Sequence, residues 1–211
     1  MPEYYNDEEF NELIAELQID DKIIPFKKYF KPDKEGEYKI KLKFNINLID
    51  SSYVFSGCEN IIKLDFISFN TFFIKNMKYM FFGCTNIKEI NLLSFNTSNI
   101  MDMSYMFYEC ENLINLDLSS FNSKSVVDMH YMFYCCKNLR NLNLSNFNIK
   151  NKYNCEGVFY NCNKLNDLNS SSFKKNYSII LRIFLILRQN IYLILIYQIK
   201  IKTCWYFYYI I

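Results

Sequence analysis

Asp102-Met-Ser-Tyr-Met-Phe-Tyr-Glu-Cys110, with Leu113-Ile-Asn-Leu-Asp-Leu-Ser-Ser-Phe-Asn122 just after it, is the stretch that decides the fold. The same text stands one period earlier as Met77-Lys-Tyr-Met-Phe-Phe-Gly-Cys84 with Leu92-Leu-Ser-Phe95-Asn96. It stands one period later as Met129-His-Tyr-Met-Phe-Tyr-Cys-Cys136 with Leu144-Ser-Asn-Phe147-Asn148. A fixed period of this size, the step from Met77 to Met103 and again to Met129, marks stacked units, each too small to bury its own apolar face. An irregular copy precedes these three, with Phe55, Cys58, Leu64 and Phe69-Asn70. A decayed one follows, with Val158, Phe159, Cys162, Leu165, Leu168 and Phe173. Terminal repeats are expected to be atypical.

The apolar period changes within a unit. Met103, Met106, Phe107 and Cys110 follow helical spacing, which predicts a short helix or helical turn. Leu113, Leu116 and Leu118 follow L-x-x-L-x-L, the approach and strand of a leucine-rich coil. Phe121-Asn122-Ser123 is the turn away from that strand. The expected fold is α/β: a right-handed leucine-rich-repeat solenoid with short parallel strands plus a short helix or helical turn per 26-residue coil. At about 4.8 Å per strand, five coils make a stack roughly 24 Å long.

Outward from the repeats, residues 1–37 read as an N-terminal helix and linker that cap the stack. Phe10, Leu13, Ile14 and Leu17 form an apolar stripe over residues 1–20, and Pro25, Pro32 and Gly36 punctuate the linker. Residues 38–173 are the solenoid. Its degenerate first coil, 38–50, opens on the alternating strand Tyr38-Lys-Ile40-Lys-Leu42-Lys-Phe44. Residues 174–211 are an apolar tail without the period. Only residues 178–199 could offer a membrane span, and Arg182, Arg188, Gln189 and Asn190 interrupt them. Shifting the reading frame over Ile191–Ile199 restores a Leu-x-Leu-Ser strand motif, so the tail reads as an out-of-frame remnant of further repeats.

Composition excludes several functions. Net charge is +2 from 24 basic and 22 acidic residues, which gives no electrostatic case for a nucleic-acid partner. Of the eight cysteines, Cys58, Cys84, Cys110, Cys136 and Cys162 fall one per repeat, so they read as reduced, buried small residues. No cofactor, metal or catalytic residue is expected. Cys135-Cys136 and Cys155/Cys162 lack zinc-ligand spacing, and no Gly-rich phosphate loop occurs. The lone His130 occupies the variable position of Met-x-Tyr-Met, so it is expected to be exposed and without partners for acid-base work. The chain is expected not to be an enzyme.

The candidate site is the outward side of the strands, because residues flanking the central leucine point away from the core. That face carries Asp65, Asn91, Asp117, Asn143 and Asn169 on one side of the leucines, and Glu89 and Asn115 with Lys63 and Asn141 on the other. An Asp/Asn column suits a polar protein- or glycan-binding strip.

Residues 51–173 resemble the BspA-like leucine-rich-repeat surface proteins, in the subgroup of 26-residue units known as the Mycoplasma-type repeat of unknown function. The resemblance rests on the Asp102–Cys110 and Leu113–Asn122 stretches and their copies. It implies a solenoid used for adhesion or protein binding at a cell surface, without catalytic residues. The acidic N-terminus, Met-Pro-Glu-Tyr-Tyr-Asn-Asp-Glu-Glu, carries no secretory signal and implies a cytoplasmic start instead. The expected function is a non-enzymatic interaction or adhesion module with an unidentified protein or glycan partner. The alternatives are a structural or vestigial repeat fragment, or a membrane-anchored surface protein should the tail span a bilayer.

Overall fold

The structure is a computed structural model. It describes residues 15–20, 22–25, 36, 38, 40–44, 47–66, 69–147 and 155–169. The expectations for residues 1–14, for Phe173 and for the tail from 174 onward lie outside the described residues.

The described chain is built of short strands and turns, with no α-helix among the described residues. Strands β1 (Ala15–Ile19), β2 (Lys22–Ile24) and β3 (Ile40–Phe44) form an antiparallel sheet in the order β2-β1-β3. This corrects two expectations. Ala15–Ile19, placed by expectation in a helix over residues 1–20, form a strand, because Ala15, Leu17 and Ile19 alternate with Glu16 and Gln18 as a strand requires. The hairpin that follows turns at Asp20, whose φ of 45° is the left-handed geometry tight hairpins need. The Lys-rich strand β3 is real, but it pairs antiparallel with β1 through Leu17↔Leu42 and so is not the first coil of the stack. The repeating ladder begins just after it, where Leu48 enters the core and Asp50 bridges to Asn76.

Five further strands have three residues each: β4 (Lys63–Asp65), β5 (Glu89–Asn91), β6 (Asn115–Asp117), β7 (Asn141–Asn143) and β8 (Asp167–Asn169). Each pairs parallel with its own counterpart in the neighbouring unit, in two small sheets, β4-β5 and β6-β7-β8. A second parallel contact runs Asp50↔Asn76↔Asp102↔Asp128 on another part of the unit.

The Met-Phe-Cys block is where the helical reading needs revision. Alternate amides serve different partners. The N–H groups of Met77, Tyr79, Phe81 and Gly83 donate to the carbonyls of Asp102, Ser104, Met106 and Tyr108 in the next unit, at 2.8–3.1 Å. Those of Met80, Phe82 and Cys84 fold back to Met77, Tyr79 and Phe81 at 3.1–3.2 Å. An α-helix leaves only its first-turn N–H donors free, all at one end, and bonds the rest four residues back; donors that alternate between a neighbour and the carbonyl three residues back exclude it. The chain instead makes consecutive turns. A left-handed residue recurs at every fourth position, at Tyr79 (φ 57°) and Gly83 (φ 68°), then at Tyr105 (φ 57°) and Glu109 (φ 58°). Met77, Met80, Phe81 and Cys84 all still point inward and are fully buried, so side-chain spacing alone does not separate such turns from a helix.

Identical residues therefore stack. Phe55, Phe81, Phe107, Phe133 and Phe159 form a column of near-parallel rings at 5.4–5.6 Å. Phe95, Phe121 and Phe147 form another at 6.0–6.2 Å. Offset ring pairs add about 0.5–1.5 kcal/mol each beyond area burial. The cysteine column is buried, as expected, and it also makes hydrogen bonds. The thiols of Cys84, Cys110, Cys136 and Cys162 donate to the carbonyls of Phe55, Phe81, Phe107 and Phe133 at 2.9–3.2 Å. All seven described cysteines are free thiols.

Each unit turns corners on Asp or Asn side chains. The carboxyl or amide oxygen of Asp50, Asn76, Asp102 and Asp128 accepts the N–H two residues on, at 2.7–3.0 Å. Asn70, Asn96 and Asn122 do the same at 3.1 Å, and so do Asn91, Asp117 and Asn143 at 2.8–3.2 Å. These are Asx turns, in which the side chain imitates a backbone turn.

Three outcomes follow for stability. Asp102→Asn keeps the acceptor, whereas Asp102→Ala removes the bonds from both the N–H and the hydroxyl of buried Ser104. Urea titration should place Asn within a few tenths of a kcal/mol of the parent and Ala about 2 kcal/mol below it. Glu109→Gly relieves a left-handed residue that Gly83 fills in the previous unit, and should stabilise by up to about 1 kcal/mol; Gly83→Val should do the opposite. The third outcome concerns alkali. Burial pushes the Cys84 thiol from 9.0 to about 12 and, with the Tyr105 and Tyr53 phenols beside it, Tyr79 from 10.0 to about 12. Folded values above unfolded ones mean that this stability is complete below about pH 9 and is lost as pH rises toward 12. A urea midpoint that holds to pH 9 and then falls, with a shallower fall in Cys84→Ala, is the expected result.

Candidate interaction face

The strands set the face. Leu64, Ile90, Leu116 and Leu142 turn inward, and the residues on either side turn outward. Lys63, Asp65, Glu89, Asn91, Asn115, Asp117 and Asn141 are exposed, and Asn143 is half-buried. The expected column of Asp65, Asn91, Asp117 and Asn143 is thus brought together along one edge, with Glu89 and Asn115 beside it. Asn169 joins the column through its backbone pairing with Asn143; its side chain lies outside what is described. A groove of about 600 Å³ runs over β4, β5, β6 and β7, floored by the central leucine-type residues and walled by these polar ones.

Within the groove the side chains pair across units. Lys63 Nζ meets Glu89 Oε2 at 2.6 Å, an ion pair with both partners largely in solvent. That pairing raises the lysine and lowers the glutamate from their ordinary values, and in that exposure it adds little stability. Asn91 donates to Asp65 at 2.9 Å and Asn141 donates to Asn115 at 2.5 Å. Two classes of residue emerge. Asn91, Asp117 and Asn143 also hold Asx corners, so their chemistry is partly spent on the fold. Glu89, Asn115 and Asn141 hold no Asx corner, and their side chains point outward from the strands.

Elsewhere, His130 departs from expectation: it is half-buried, and its Nδ1 contacts Asp128 Oδ1. Met-x-Tyr-Met places it two residues after an Asx corner, a relation that the motif alone does not display. Sequence reasoning also passed over two half-exposed aromatic ladders. Tyr53, Tyr79, Tyr105 and Tyr131 stack at 4.6–5.2 Å, and Phe82, Tyr108, Tyr134 and Tyr160 at 4.6–4.9 Å. Their invariant spacing was the available signal. Because the rings stack along the units, they keep their faces for one another.

Among the described residues no group of three or more His, Cys, Asp or Glu side chains is placed to hold a metal ion. No helix among them is long and apolar enough to cross a membrane. No curated protein and no solved structure matches the chain. One family model does, over residues 49–173, the stretch that carries the stacked units. The chain belongs to that family, described as Mycoplasma protein of unknown function, DUF285.

Proposed function

We propose that the chain is a non-enzymatic interaction module, a leucine-rich-repeat solenoid of the BspA-like kind that offers its strand face to a protein partner, with a glycan as the second candidate. The observation that carries this reading is the groove of about 600 Å³ walled by Glu89, Asn115 and Asn141, polar residues that the fold does not use at its corners. A concave polar strip of this kind fits the binding surfaces of stacked-repeat proteins. Adhesion at a cell surface is the role the family resemblance suggests for it.

A purely structural repeat is the second reading. It is favoured by a specific fact: Asn91, Asp117 and Asn143 hold Asx corners, so an Asp/Asn column would exist without any partner.

The variants that separate the readings must spare those corners. Asn115→Arg with Asn141→Arg fills the groove and keeps every Asx bond. Photo-crosslinked capture from surface extracts of the source's own environment, together with a glycan array, should yield species retained by the parent and reduced about tenfold or more by the double variant. Equal retention by parent and variant, with unchanged thermal unfolding, would remove this face as a binding site.

A further inference from the structure

Away from the strands, the parallel contact through Asp50, Asn76, Asp102 and Asp128 is preceded in each unit by an outward residue. Lys75 donates to the Ile49 carbonyl, Met101 to that of Lys75, and Val127 to that of Met101, at 2.8–2.9 Å, so these four side chains form one column. Leu48, Ile74 and Ile100 beside them are buried, whereas Ile49, Met101 and Val127 are 65%, 52% and 55% exposed. Large apolar side chains aligned in solvent mark interaction sites more often than isolated ones do.

The border of this strip carries an unusual charge arrangement. Most neighbours in register are opposite charges or amides, as Lys63 with Glu89, Lys137 with Glu111, Asn141 with Asn115 and, in this column, Asn76, which donates to Asp50 at 3.0 Å. Here Asp102 and Asp128 are direct parallel neighbours, with Asp50 two units before Asp102. Like charges placed opposite each other are destabilising. No lysine or arginine ion pair is found for these carboxylates among the described residues; Asp128 contacts His130. Lys75 in the strip offsets one of the three charges.

We infer that this strip is a docking surface for a cationic amphipathic helix of a partner protein. The charge complement is lysine or arginine against Asp102 and Asp128. Each holds an Asx corner through Oδ1, but the uncharged Asn76 holds the same corner, so the corner does not account for their charge. The apolar complement lies on Ile49, Met101 and Val127. Spacing selects a helix. Units repeat about every 4.8 Å and a helix about every 5.4 Å, so over the roughly 14 Å of the strip a helix stays within about 2 Å of register. A strand laid along the stack presents same-side residues about 6.8 Å apart and loses that register at each step. A second copy of the chain fits less well, since a stable dimer needs about 800 Å² per partner and the strip is one side chain wide.

The test uses the full chain and a fluorescent synthetic peptide of about 14 residues, with leucine at i, i+3 and i+10 to meet Val127, Met101 and Ile49 and lysine flanking. A glutamate-flanked peptide is the control. The lysine peptide should bind, and the glutamate peptide should bind about tenfold more weakly or worse. Met101→Ser with Val127→Ser should weaken the lysine peptide about tenfold, and Lys75→Glu should tighten it. Joint Asp102→Asn and Asp128→Asn should weaken it about threefold; the corners survive, because Asn76 already fills the same position. Thermal unfolding verifies that each variant folds. Absence of lysine-peptide binding, equal binding of both peptides, or indifference to the strip variants overturns the inference. So does a parent that sediments as a dimer which Met101→Ser dissociates, or one whose strip binds anionic vesicles and not the peptide.

Discussion

Half of the amides in each Met-Phe-Cys block belong to the next unit. Tyr79 donates to Ser104, Tyr105 to His130 and Tyr131 to Glu156, and a buried amide left without such an acceptor costs about 1–3 kcal/mol. A single unit would leave several of these groups unpaired at once. The block therefore obtains half of its backbone acceptors only from a neighbouring unit, which ties its local geometry to stacking. The same alternation explains the left-handed residues: a turn that aims every second N–H outward cannot hold uniform helical angles, and Tyr79, Tyr105 and Tyr131 take φ of 54–57° to do so.

Once the backbones are in register one period apart, every side chain faces its own counterpart, and each column must be a residue type that tolerates itself. Phenylalanine stacks. Cysteine does so in another way, donating its thiol to a phenylalanine carbonyl in the unit before. Charged residues tolerate it poorly, which is why Lys63 faces Glu89 and Lys137 faces Glu111. Gly157 marks the limit of the tyrosine column: a Cβ there would lie 2.4 Å from the Tyr131 ring, so the glycine yields its place to the neighbour's ring.

The sequence displays this architecture unevenly. The period, the buried Met, Phe, Cys and Leu columns and the outward strand positions are all legible, because each depends only on which residues recur. The local backbone is less so. Met77, Met80, Phe81 and Cys84 are spaced as on a helix, yet the chain makes turns whose inward residues return with the same spacing. What distinguishes the two is the destination of the amide hydrogens, and that is not written in side-chain identity. Near the N-terminus the difficulty reverses. Leu17 completes a helical stripe with Phe10, Leu13 and Ile14, while Ala15, Leu17 and Ile19 also complete a strand; pairing with both β2 and β3 decides between them.

The candidate face shows how a structural duty can imitate a functional signal. An Asp/Asn column draws attention because its polarity has no packing explanation. Asp117 and Asn143 nevertheless accept the N–H groups of Ser119 and Ser145, and only a short side chain with an acceptor at that position can do this. The residue type is then required whether or not a partner exists. Recognition must be sought where the fold imposes no such choice. Glu89, Asn115 and Asn141 on the strands meet that condition, and so do Ile49, Met101 and Val127 on the other strip, which remain apolar in solvent although nothing in the backbone requires it.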